Sequence, residues 1–196
     1  MSTIKTTNIT HGSNTGTANM VLASDGGVTF ASAVGLFSSY AIICDQKDSA
    51  TDGGEFAAGD WHTRDLNTEI ADPDSIVSIS SSQFTLQAGS YLIKWKAPAY
   101  DCHRHMTRLY DVTNTTNRQY GLAAYADTVN VQNYSEGFAR VTPSGATAYA
   151  IQHACQSTRA TFGFGIATDM EADGDYSDGT TETVSIYTVV EIYKEA

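Results

Sequence analysis

Asp101-Cys102-His103-Arg104-His105 and His153-x-Cys155 form the densest grouping of metal-ligating side chains in the chain. On strands, His103 and His105 would share one face, as would His153 and Cys155, and four N/S ligands from neighbouring strands could close a tetrahedral site. Nothing in the spacing makes those strands neighbours. The Glu that follows the His-x-His of β-barrel metal sites is also missing, with Leu109 and Tyr110 in its place. The expectation is hydrogen-bonded histidines, with no transition metal and no cofactor.

A second constellation, Asp169, Glu171, Asp173 and Asp175 with Gly174 at the sixth place, is close to a calcium-loop pattern. Thr180 stands where the bidentate Glu of that loop belongs, and flanking helices are not signalled. These four acids are a weak calcium candidate; an acidic solvated loop between strands, ordinary in so acidic a chain, is the expected reading. No Gly-x-Ser-x-Gly elbow, His-Glu-x-x-His or phosphate-cradling Gly loop occurs, and Asp72 and Asp74 flank a turn proline. The chain reads as a non-enzyme.

Charge narrows the partners. The chain has 22 Asp and Glu against 11 Lys and Arg, a formal charge of -11, and its basic residues are scattered apart from Lys94/Lys96 and Arg104/Arg108. A phosphate backbone needs clustered cations, so nucleic acid is not an expected partner. No apolar run approaches the roughly 18 residues of a membrane span. Three cysteines, Cys44, Cys102 and Cys155, and no hydrophobic leader after Met1 point to free thiols and synthesis in a reducing cytoplasm.

The elements that would position these residues are short strands. Gln83 to Leu86 and Ser90 to Lys96 alternate cleanly around Gly89, with Phe84 and Leu86 on one face, then Tyr91, Ile93 and Trp95 on one face. Further strands are expected at Tyr40 to Cys44, Trp61 to Leu66, Thr107 to Asp111, Gln119 to Ala124, Glu136 to Val141, Ala146 to Cys155 and Thr183 to Tyr193. Eight or nine such strands make a sandwich or barrel. Residues 1–35 are rich in Thr, Ser, Gly and Asn and cannot build a core. They read as an extended anchoring arm with one hairpin, Ala18 to Leu22 and Val28 to Phe30 around Ser24-Asp25-Gly26-Gly27, contacts coming from Val21, Leu22, Val28 and Phe30. Residues 36–196 form the second domain.

The segment with Phe84, Gly89 and Tyr91 resembles the Phe…Gly-x-Tyr hairpin of the C1q/tumour-necrosis-factor jelly roll. Arg104-His105, Arg108 to Thr113, Thr158 to Thr161 and Gly163-Phe164-Gly165 are similar to segments of jelly-roll modules in bacteriophage fibre and other virion surface proteins. The resemblance implies an all-β, antiparallel jelly-roll sandwich assembled as a homotrimer. It puts the C-terminal strand centrally near the trimer axis. Val184, Ile186, Val190 and Ile192 alternate there with residues that include Tyr187, Val189 and Tyr193, the expected interface. It further implies a structural virion protein of a tailed phage, assembled in the host cytoplasm. The first expectation is a capsid decoration (cement) protein held to other virion proteins, above all the major capsid protein. The alternative is a tail-fibre tip or receptor-binding module that contacts host-surface glycans near Trp61, Tyr125 and Tyr134. A glycan hydrolase, the third reading, would need a carboxylate pair in a cleft.

Overall fold

Alternating apolar and polar residues over four to twelve positions, punctuated by Gly, Pro, Asp and Ser, leave the chain one way to bury its large side chains: sheets packed face to face. The computed structural model describes residues 8–9, 20–22, 28–30, 35–127, 129–167, 174 and 183–196. Within these residues every regular element is a strand: β1 Asn8–Ile9, β2 Met20–Leu22, β3 Val28–Phe30, β4 Phe37–Asp48, β5 His62–Thr63, β6 Thr68–Ala71, β7 Val77–Ser80 and β8 Gln83–Leu86. They continue with β9 Tyr91–Tyr100, β10 His103–Asp111, β11 Thr116–Tyr120, β12 Ala124–Ala126, β13 Gln132–Val141, β14 Thr147–Cys155 and β15 Val184–Glu195.

The chain divides into two compact units, Met1–Ser38 with Ala196, and Ser39–Glu195. In the first, β1, β2 and β3 form a small antiparallel sheet in which Met20 pairs with Phe30 and Leu22 with Val28.

The second unit is a sandwich. One sheet has the order β13-β9-β15-β4-β6; the other has β11-β10-β14-β8-β7, with β12 beside β10 and β5 beside β14. The chain crosses between sheets from β8 to β9, from β9 to β10, and again on the way to β13, β14 and β15. Two antiparallel sheets joined by these repeated crossings are a jelly-roll sandwich. The C-terminal strand β15 is central in its sheet, between β9 and β4, as the resemblance implied. The segment around Gly89 is not a hairpin. Leu86 and Phe84 pair with β7 and β14, while Tyr91 to Trp95 pair with β13 and β15. The two strands face each other across the core, because their apolar faces bury more area packed on one another than side by side.

Phe84, Leu86, Leu109, Tyr149 and Ile151 from one sheet meet Ile43, Tyr91, Ile93, Trp95, Val190 and Ile192 from the other, all nearly fully buried. Trp95 also ties the layers by hydrogen bonding, its Nε1 donating to Thr107 Oγ1 at 2.7 Å, and Thr107 N donates to Ser135 Oγ at 2.9 Å. Gly137, opposite Trp95 in the register, leaves room for the indole ring; a Cβ there would overlap it.

Most strand expectations survive with longer ends, but two differ in kind. Trp61 to Leu66 contributes only the two-residue β5, which bridges to Gln152 and His153, and Gln119 to Ala124 divides into β11 and β12 around Gly121. A Cβ at Gly121 would collide with Thr107 Oγ1 and the Glu136 carbonyl, so the chain turns there at close approach to the core.

Candidate functional site

Two outward surfaces of the sandwich have chemistry. The first is the outer face of the sheet centred on β15. Its cross-strand rows run Arg140–Leu92–Tyr193, Phe138–Lys94–Glu191 and Glu136–Lys96–Val189. Phe138 is 68% exposed and Tyr134 40%. Tyr40, exposed on β4, adds to this side because Ala41 and Ile43 point into the core. The charges on the face are matched within the subunit: Lys94 with Glu191 at 3.2 Å, Lys96 with Glu136 at 3.0 Å, and Arg140 with Glu195 at 2.6 Å. Tyr193 donates to Glu191, which together with Lys94 holds that carboxyl below its usual range. A solvent-facing side of an antiparallel sheet is ordinarily polar. Here Val190 and Ile192 face the core while Val189 and Tyr193 face out, half-buried.

The second surface is a groove of about 630 Å³ on the outer face of the opposite sheet. Register builds it: Tyr125 pairs with Arg104, and His105 with Cys155, so Arg104 lies across from Gln156 and Met106 from Ala154. Arg104 Nη1 donates to Gln156 Oε1 at 3.0 Å. Trp61, just before β5, stands on the far side, its ring 4.2 Å from the Arg108 guanidinium carbon and 6.0 Å from the Tyr120 ring. Arg108 is held in turn by Gln152 Oε1 at 2.8 and 2.6 Å. Apolar small side chains form the floor, and two aromatic residues the walls.

Beneath this sheet lies a buried polar cluster. His105 Nδ1 and His153 Nε2 are 2.9 Å apart, and both rings are almost fully buried. Burial first, then the Arg64 charge, lowers the His105 pKa to about 4, and burial, Arg64 and His105 hold that of His153 well below its usual value. Arg64 is itself wholly buried: its Nε donates to Thr188 Oγ1 at 2.8 Å, its Nη2 to the Phe164 carbonyl at 2.8 Å, and its guanidinium stacks 4.0 Å from the Phe164 ring. Burial brings its pKa down to about 10.

These positions revise several expectations. The strands of His105 and His153 are indeed neighbours, yet His103 does not join them. Its φ of 62° breaks the two-residue alternation, and its ring lies 5.8 Å from Tyr125 on the outer side. Among the described residues no three His, Cys, Asp or Glu side chains are grouped to hold a metal. Tyr187 is not on the outward face. It is 5% exposed inside the subunit, its hydroxyl donating to the Thr51 carbonyl at 2.6 Å. The apolar alternation of β15 is interrupted between Tyr187 and Thr188, both buried, which turns Tyr187 inward. Asp169, Glu171, Asp173 and Asp175 lie outside the described residues. Of the arm residues, Val21 and Val28 are exposed, at 39% and 49%; the side chains of Leu22 and Phe30 lie outside the described residues.

Sequence reading passed over Arg64, which sits in an unremarkable His-Thr-Arg-Asp stretch, and over the part Gln156 plays beside Arg104. The spacing of Arg104, Met106 and Arg108 on one strand face was the available signal for the groove.

An antiparallel jelly-roll sandwich, whose outward face around the C-terminal strand mixes exposed aromatic rings with internally paired charges, is thus the class of fold. No family model matches the chain, and no curated protein matches its sequence. Among solved structures, the globular domain of the zebrafish complement 1qA protein is similar over 79% of this chain and 95% of that one, at 13% identity and a TM-score of 0.47. Murine APRIL at pH 8.0 is similar over 80% of this chain and 98% of that one, at 7% identity and a TM-score of 0.47. The PRD1 vertex protein P5 is similar over 83% of this chain and all of that one, at 12% identity and a TM-score of 0.44.

Proposed function

We propose that the chain is a self-associating structural module of a virion surface: a homotrimeric jelly roll that decorates the capsid of a tailed phage. Residues 1–35 attach it to the major capsid protein. The observation that carries self-association is the central strand β15, apolar toward the core through Val190 and Ile192 and showing Val189 and Tyr193 outward on either side of the paired Glu191, with Phe138 exposed two strands away on β13. A face that carries exposed aromatic rings and whose charges are already paired internally is suited to burial against copies of itself. The virion assignment rests on the sequence resemblance to phage surface modules. Phe138→Asp tests the face: it should lower the solution mass while leaving the fold intact, since Phe138 makes little contact within the subunit. An unchanged mass would remove Phe138 from the contact.

A receptor-binding module of a fibre tip is the second reading, and the meeting of Trp61 and Tyr125 at one groove favours it. Gold-labelled antibody on particles separates the two: label over the head supports decoration, and label at the tail tip supports adhesion.

A further inference from the structure

We infer that the groove between Trp61 and Tyr125 binds a pyranose that bears a carboxylate, as in a uronic or a nonulosonic acid residue of a surface polysaccharide. This deepens the receptor-binding reading and rests on it only for the groove being a saccharide site. The groove lies on the sheet opposite the proposed self-contact face, so it remains open in the assembly that face would make.

The backbone beneath the groove is already paired on both sides. β10 is bonded to β12 and β14, and β14 to β10 and β5. An extended peptide cannot add as a strand there, so recognition falls to side chains. What they offer is the exposed ring of Tyr125, the half-buried ring of Trp61 with Arg108 against it, a planar guanidinium, a planar amide and a shallow apolar floor of Met106 and Ala154. Aromatic faces stack on the C–H face of a sugar ring, while planar polar groups take its hydroxyls in pairs. Three inter-strand steps of roughly 4.8 Å separate β12 from β5, about 14 Å between backbones, and the Trp61 ring, which precedes β5, reaches back over Arg108, so a sugar ring would lie against Tyr125 and the Met106–Ala154 floor beside it.

Charge selects the kind of sugar. In a chain of net charge -11, this groove is lined by Arg104, and among the described residues none that lines it is acidic. One Arg104 nitrogen is engaged by Gln156, which fixes the plane of the fork; the rest of the fork has no other partner among the described residues. A guanidinium held in one plane on an otherwise acidic protein is complementary to a carboxylate.

The test is titration of the full chain with tetragalacturonate, 3′-sialyllactose and the neutral sugars maltotetraose and lactose, followed by tryptophan emission. Trp61 is the reporter, because Trp95 is buried and donates to Thr107. One of the two acidic probes should give a saturable change at a concentration about tenfold lower than its neutral counterpart, and which one responds identifies the source. Arg104→Gln should remove that preference while Tyr125→Ala removes binding; saturation-transfer NMR of the probe gives the same readout without relying on Trp61. Both side chains are exposed, and melting of each variant checks the fold. Equal binding of acidic and neutral sugars overturns the inference but leaves a saccharide site. No saturable binding of any probe, or full binding by Tyr125→Ala, overturns both.

Discussion

Acidification from pH 7.5 to pH 5 should destabilise this protein through one pair of buried histidines. His105 and His153 are 2.9 Å apart in the buried layer, near Arg64, and their hydrogen bond requires one neutral ring to donate and the other to accept. An unfolded histidine titrates near 6.5, whereas His105 in the folded chain is lowered to about 4. Below pH 6.5 the unfolded chain therefore binds a proton that the folded chain refuses, and stability falls as pH falls toward 4. From pH 7.5 to pH 5, His105 alone costs about 2 kcal/mol. For a unit of this size that is roughly 4–8 °C in Tm, and His153 adds to it with the same sign. The buried Asp45 carboxyl, raised chiefly by burial, works in the opposite direction, so the comparison is with a His105→Gln/His153→Gln variant and not with the wild type alone. Thermal melts at pH 7.5 and pH 5 give the difference. The variant should lose most of the pH slope, and imidazole NMR should show two rings that do not titrate above pH 5. A ring at either position titrating near 6.5, or a variant slope equal to the wild type, would refute the reasoning.

Three further outcomes follow from positions in the sandwich. Tyr187→Phe should cost about 1 kcal/mol by leaving the Thr51 carbonyl without its donor, and Tyr187→Asp should cost several kcal/mol, both read by denaturant melts; an unaffected Tyr187→Asp would place that side chain elsewhere. Gly165→Ala should destabilise by more than 1 kcal/mol, because Gly165 has a φ of 135° and a Cβ would press on the Tyr187 ring; equal stability would mean that the ring has space to move. Deleting residues 1–35 should leave the melting temperature nearly unchanged while abolishing attachment to particles, and attachment of the full chain should survive high salt, since the arm offers Val21 and Val28 and few charges; particles still decorated by the truncated chain would reverse the roles of arm and jelly roll.

The fold was legible because burial in a sandwich imposes a period of two, and Phe84, Leu86, Tyr91, Ile93 and Trp95 obey it. Which of those strands share a sheet was not legible. The same alternation serves a hairpin or two facing layers, and only long-range pairing, such as Trp95 opposite Gly137, distinguishes them. Tyr187 was misplaced for a related reason: one irregularity in β15 reverses the face of every residue before it. The groove was half legible. Trp61 and Tyr125 stood out as exposed-type aromatics, but their meeting depends on β5 and β12 flanking β14 and β10, pairings between residues from 19 to 91 positions apart that local pattern does not encode. Arg64 gave no signal at all, since its role comes from Thr188, Pro98 and Phe164, each distant in sequence.

Self-association through the outward face of β15 is the claim on which the rest depends, and the mass of the full chain in solution tests it most directly. Light scattering coupled to size exclusion should give a species three times the 21.0 kDa of one chain, stable on dilution and in high salt because the contact is apolar. A single species of 21.0 kDa across the same range would contradict it.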